Sequence, residues 1–186
     1  MSQLYVILRK LILPIENINS AIPKRGTIVD LGCGQGQISL YLAQTKTRKI
    51  IGIDNNTKRL QKSPQKNLKF RKGDITKISL GRIDGAVISD VLHHLSVNNQ
   101  RSLIQKVFKN LTKNGIFVIK EIDTGEFIRS KLSRMWDFIF YPEDEINYWN
   151  KSDLEKYLKR LGFKSIHVTR PCRFFPGSTT LFVCTK

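Results

Sequence analysis

The stretch Ile28-Val29-Asp30-Leu31-Gly32-Cys33-Gly34-Gln35-Gly36-Gln37 decides the fold. Thr27 to Leu31 is an apolar run with a single acid and reads as a buried strand. Ile38, Leu40, Tyr41 and Leu42 then open a helical period. Between the two stand three glycines separated by single residues. A glycine-rich strand-to-helix turn lets the backbone approach a ligand closely, and it directs free N–H groups at an anionic group. The spacing is G-x-G-x-G, whereas dinucleotide enzymes need their third glycine one position later.

Outward from this turn, strand and helix patterns alternate to about residue 161, as in a parallel sheet covered on both faces. Lys49 to Asp54 is a second short apolar strand ending in an acid. Leu68 to Arg71 is a third, followed by Gly73-Asp74-Ile75-Thr76. Ile83 to Asp90 is a fourth and runs into Val91-Leu92-His93-His94-Leu95. A helix with Leu103, Ile104, Val107, Phe108 and Leu111 on one face is predicted to end at Asn114-Gly115. Ile116 to Ile122 is the fifth strand. Ser152-x-x-Glu155 is a capping-box pattern that opens a helix closed by Gly162. Lys164 to Thr169 and Thr179 to Cys184 come next as two strands with no helix between them, hence an antiparallel hairpin.

A strand ending in Asp-Leu-Gly-Cys-Gly-x-Gly resembles motif I of the class I S-adenosylmethionine (SAM)-dependent methyltransferases. Five βα units and a terminal hairpin match that family's topology over roughly residues 25 to 186. The expected fold is therefore α/β, a single doubly wound seven-stranded sheet, mostly parallel with a terminal antiparallel hairpin. The resemblance implies SAM as cofactor, held at the carboxyl ends of the strands. It places the backbone of Gly32, Cys33 and Gly34 against the methionine part, with Asp30 helping to hold the loop and the amino group. Asp54 lies 18 residues past Gly36 and, with its neighbour Asn55, falls where an acid accepts hydrogen bonds from the ribose hydroxyls. Asp74 and Ile75 match the adenine position, and Ser89 and Asp90 the position that closes over the ammonium. For each acid the alternative is a solvated charge or a helix cap. Yet Asp54 and Asp74 are the only acids among twelve Lys or Arg between residues 46 and 82.

Motif IV, Ser89-Asp90-Val91-Leu92-His93-His94-Leu95, lacks the Asp/Asn-Pro-Pro-aromatic pattern that grips exocyclic base amines. Its D-x-L-H-H-L form is similar to the small-molecule and lipid-type branch. His93 and His94 are candidate general bases, since an unperturbed imidazole titrates near 6.5; a purely structural role for them is equally open. Methyl transfer depends largely on positioning. Glu121 and Asp123, ending strand five, are further candidates.

The chain of 186 residues carries a net charge of +17, which implies attraction to a polyanion, either nucleic acid or an anionic membrane surface. Three widely spaced cysteines argue for reduced thiols in a cytoplasm. No His/Asp/Glu cluster has ligand spacing, so no metal is expected. No apolar stretch approaches the ~18 residues of a membrane span. Residues 123–150 form the expected substrate cap, where Phe127, Ile128, Leu132, Met135 and Trp136 recur at helical spacing among basic residues. Residues 1–24 repeat the theme, with Leu4, Ile7, Leu8, Leu11 and Ile12 on one face and Pro14 ending the run. Each segment reads either as ordinary packing or as contact with an interface. The combined expectation is one methyltransferase domain over residues 1–186, acting on a hydrophobic or lipid-like small molecule, cytoplasmic and peripheral at a membrane. RNA is the alternative acceptor, and a non-catalytic SAM-binding subunit is the third reading.

Overall fold

The computed structural model describes residues 13–56, 65–122, 147–171 and 179–186. In chain order the elements are α1 (Ile15–Ala21), β1 (Gly26–Leu31), α2 (Gln37–Leu42), β2 (Arg48–Asp54), β3 (Leu68–Lys72), β4 (Ile83–Ser89), a short 3₁₀ turn (Leu92–His94), α3 (Val97–Asn110), β5 (Leu111–Ile122), α4 (Lys151–Leu161), β6 (Ser165–Thr169) and β7 (Thr179–Thr185). The seven strands lie in the order β3-β2-β1-β4-β5-β7-β6. β1 to β5 are mutually parallel, while β7 runs antiparallel to both β5 and β6. The chain leaves β1 toward β3 and returns on the other side as β4. That reversal opens a crevice above the carboxyl ends of β1 and β4, where open α/β sheets hold their ligands.

Both faces of the sheet are buried, and this is why its central strands read as continuous apolar runs instead of alternating ones. Ile28, Val87 and Val118 point into the layer under α1 and α2, together with Ile18, Ile22 and Leu42. Val29, Ile88 and Ile119 point the other way, under α3 and α4, with Leu103, Ile104 and Leu154.

Four details depart from the sequence reading. α3 ends at Asn110 and passes straight into β5, so Leu111 begins a strand instead of closing a helix. Asn114-Gly115 is a bulge inside that strand, where the pairing jumps from Ile83↔Leu111 to Gly85↔Ile116. Asn114 takes φ 63° there, and the tail holds it through Asn114 N–H donating to the Lys186 carbonyl at 3.0 Å. α4 is capped by Asn150, whose side chain accepts from Ser152 N–H at 2.9 Å, and not by Ser152 itself. The strand–helix alternation breaks at residues 73–82, which form a turn without a helix. Lys106 of α3 clamps that turn by donating to the carbonyls of Thr76 at 2.6 Å and Ile78 at 3.1 Å.

The periodic run Leu4 to Ile12 lies outside the described residues, as does most of the expected cap, 123–146. Directly after Pro14 the chain forms a helix that the periodicity did not show. This helix, α1, buries Ile18, and Ile22 just beyond it, completely against the sheet.

Candidate active site

Asp54, Ser89 and Glu121 lie at the carboxyl ends of parallel strands, and Asp30, which the register sets opposite Gly52 and Val87, lies two positions further in. Asp30 is buried on the α2 side and accepts a 2.6 Å hydrogen bond from the Ser39 hydroxyl. That bond ties the strand before the glycine turn to the helix after it. Gly32, Gly34 and Gly36 all have positive φ. A Cβ at Gly34 would meet nothing within 4 Å, whereas one at Gly36 would stand 2.4 Å from the Phe70 ring. Gly34 therefore leaves the mouth of the cleft open, and Gly36 lets β3 pack against the turn.

This contrast makes a prediction. Gly36→Ala combines a strained φ with a steric clash and should lower stability by about 2 kcal/mol, read from the urea midpoint. Gly34→Ala should cost only about 1 kcal/mol of backbone strain and yet weaken cofactor binding. Equal stability losses for the two would show that the turn is packed alike at both positions.

Asp54 is buried at the end of β2, with both oxygens engaged. One accepts from Gly34 N–H at 2.8 Å and the other from Asn56 N–H at 2.8 Å. A carboxylate offers about four lone-pair positions, so capacity remains for two hydroxyls. Asn55 is exposed next to it. Cys33 sits in the turn between the acids; burial, then the nearby charges of Asp30 and Asp54, push its thiol well above the ordinary range.

Asp74 is placed at the end of β3, and its carboxylate is occupied by its own turn, accepting from the Thr76 N–H at 2.8 Å and hydroxyl at 2.6 Å. The Thr76 hydroxyl first, then its amide, hold Asp74 below the usual carboxylate range. The side chain of Ile75 turns into the core.

At the end of β4, Asp90 adopts φ 55°. Its carboxylate pairs at 2.5 Å with Lys120, a buried lysine of β5 that sequence reasoning passed over. Lys120 and Glu121 are consecutive and so point to opposite faces. Glu121 enters the α3–α4 side, where it accepts from Leu92 N–H at 2.9 Å, from Val91 N–H at 3.3 Å and from His93 Nδ1 at 2.6 Å. Since an ionised carboxylate only accepts, the His93 proton sits on Nδ1. Tyr148 stacks on His93 with ring centroids 5.2 Å apart, and His94 lies 4.2 Å away, tilted by 44°.

The structure thus separates the candidates into two groups. Asp30, Gly32, Cys33 and Ser89 line one cleft, joined by Leu13, Gln35, Gln37 and Ile38, and Asp54 and the Asp90–Lys120 pair adjoin it. His93 and Glu121 form a buried hydrogen-bonded pair on the other side of β4 and β5, with the partly buried Tyr148 stacked on His93. Asp123 lies outside the described residues.

The cleft fits SAM. Its acids suit an ammonium and a ribose diol, Gly34 leaves the approach open, and Gln37 contributes a buried side-chain oxygen with no hydrogen-bond partner among the described residues. Ser39, Lys106 and Lys120 carried no sequence signal, because each works through a partner elsewhere in the chain.

A doubly wound sheet with an antiparallel end and a glycine turn facing carboxylates at the switch point defines a class I SAM-dependent methyltransferase. The chain belongs to the methyltransferase domain family, whose model matches residues 22–159. It is 27% identical over 107 residues to a carboxy-S-adenosyl-L-methionine synthase of Campylobacter concisus, covering 54% of this chain and 46% of that protein. It is 28% identical over 113 residues to a trans-aconitate 2-methyltransferase of Deinococcus radiodurans, covering 58% and 43%. The chain spans about half the length of the curated relatives it matches. A SAM-dependent methyltransferase from Archaeoglobus fulgidus superposes over 100% of both chains with a TM-score of 0.72 at 14% identity, a likeness of fold. Among the described residues no helix is long and apolar enough to cross a membrane.

Proposed function

We propose that this enzyme methylates a hydrophobic or lipid-like small molecule, with His94 next to the reacting centre and Glu121 as a positioning residue. The observation that carries the reading is the wall built at the end of β4. A base-specific enzyme needs a flat grip for an exocyclic amine there. This chain instead packs Leu92 and the His93–Tyr148 stack, fastened by Glu121. The trans-aconitate relative, named for a small-molecule substrate, supports a small-molecule acceptor, though not its hydrophobic character.

The roles divide by burial. His93 and Glu121 are interior, so they hold the Val91–Leu95 turn and do not meet an acceptor. His94 is more open and is the imidazole able to take a proton from a hydroxyl or activated carbon. Asp30, Asp54, Asp74 and the Gly32–Gly34 backbone would hold the cofactor, with Ser89 and Asp90 over its ammonium. Bound SAM supplies a methyl group on an electron-deficient sulfur. The protein's share is to align the acceptor with it and exclude water. The apolar-basic patterns of residues 1–24 and 123–150 support a lipid-like acceptor met at an anionic membrane.

Labelled methyl from SAM, offered total lipid and total RNA extracts, tests the proposal. Label in the organic phase is the expected result; label in RNA overturns it in favour of an RNA acceptor, and label in neither favours a non-catalytic SAM-binding subunit. With an acceptor in hand, His94→Ala should lower kcat at least tenfold with SAM affinity unchanged. Glu121→Gln should lower kcat together with thermal stability, since it weakens the buried bond to His93.

A further inference from the structure

The two ends of the sheet differ in how their charges are compensated. At the carboxyl ends Asp30, Asp54, Asp74, Asp90 and Glu121 stand among Lys72, Lys77, Lys120 and Arg170. At the other end, an exposed base precedes or opens each parallel strand: Arg25 at β1, Lys46 at β2, Lys66 at β3, Arg82 at β4, Lys113 in the β5 bulge and Lys164 at β6. Among the described residues none of these six pairs with a carboxylate. Asp84 is the acid at that end, and both its oxygens are engaged, accepting from Thr27 N–H at 2.8 Å and from the Thr112 hydroxyl at 3.2 Å.

We propose that this basic pole is a docking surface for the phosphate backbone of a nucleic acid, separate from the methyl-transfer site. The row runs from β3 to β6 across seven strands, which at about 4.8 Å per strand gives about 30 Å of uncompensated positive charge. A line of that length matches a polyanion and far exceeds a single anionic group. It contains no aromatic side chain to stack a base, so binding is sequence-independent and works by counterion release.

An anionic bilayer is the poorer match. Firm interfacial binding needs apolar side chains to insert. Among the described residues the exposed large apolar side chain is Val97, which starts α3 at the opposite end of the sheet. The strands of six and seven residues between the pole and the cleft set the two about 20 Å apart. A nucleic acid held at the pole is therefore an anchor and not the acceptor. The inference stands whether or not the acceptor is lipid-like.

The test is binding of a fluorescent 20-nucleotide polyuridine RNA over a range of salt. Six phosphate contacts predict a log–log salt slope near −4, from about −0.7 per phosphate on single strands. The triple variant Arg25→Glu, Lys66→Glu, Arg82→Glu should lose at least tenfold in RNA affinity while keeping its melting temperature and its SAM affinity. The variant Lys72→Glu, Arg101→Glu, Lys151→Glu, equal in charge but toward the carboxyl end of the sheet, should lose much less. Equal losses in both would mean that binding follows net charge and would overturn the pole. So would wild-type protein that ignores the RNA but floats with phosphatidylserine vesicles. If charge reversal unfolds the first variant, the Gln versions of the same three residues are read against the same two outcomes.

Discussion

Asp54→Ala is expected to weaken SAM binding at least a hundredfold, measured by isothermal titration with SAM and with S-adenosylhomocysteine. Two effects add. The carboxylate is the ionised acceptor that suits the two ribose hydroxyls, and a hydrogen bond to a charged group contributes about 1.5–3 kcal/mol. It also fastens Gly34 N–H at 2.8 Å and Asn56 N–H at 2.8 Å, so its loss frees the turn that must lie against the methionine part. Two bonds at the low end amount to about 3 kcal/mol, or about two powers of ten in affinity. Asp54→Asn keeps one acceptor oxygen and should fall between the two. An unchanged affinity in Asp54→Ala would remove this residue, and with it the glycine turn, from the cofactor site.

The largest effect on stability is expected at Arg48. This arginine is almost fully buried and has no carboxylate partner among the described residues. Its guanidinium donates to the carbonyls of Pro23 at 2.8 Å, Asn19 at 3.0 Å, Ile22 at 3.1 Å and Leu42 at 3.3 Å, and to the Asn19 side-chain oxygen at 2.6 Å. Several of these are carbonyls at the ends of α1 and α2, which lack partners within their own helices. Burial pulls the Arg48 pKa below its usual value, so the charge has a desolvation cost that the five bonds must offset. Arg48→Met removes that cost but strands the carbonyls, each at about 1–3 kcal/mol. The balance should be a loss of about 3–5 kcal/mol and a melting temperature lower by roughly 10 °C. SAM affinity of the folded protein should not change, because Arg48 starts β2 while Asp54 ends it. A shift under about 1 kcal/mol would mean that the helix ends find other donors.

Arg48 also marks where reading by sequence stops. In the chain it is one of twelve bases between residues 46 and 82 and counts as surface charge; in the fold it is interior. Nothing in the local pattern distinguishes it from Lys46 or Lys49, because its acceptors lie 6 to 29 positions away. Lys120 and Lys106 are similar cases, one placed against Asp90 and the other over the 75–78 turn. Asn150, which opens α4, was passed over because the Ser152-x-x-Glu155 pattern scores better on spacing alone. The start of β5 was missed because the Asn-Gly pair resembles a helix terminus, and only pairing with β4 and β7 turns it into a bulge.

What the sequence determined by itself is the class of fold and the cofactor turn. Both depend on short-range physics: apolar runs of strand length, helical periods, and glycines where the backbone must take positive φ and stay open. The acids after β1, β2, β3 and β4 were legible for the same reason, since each lies at or just past the end of its strand. The tertiary structure alone decided which face of the sheet each group joins. It set Asp30 and Ser89 along one cleft, the proposed cofactor site, and sent His93 and Glu121 into a buried pair on the other side. It also sorted one excess of positive charge into an interior arginine, a paired lysine and a row at the far pole. Those outcomes depend on contacts between residues distant in the chain, and such contacts exist only once the seven strands are in register.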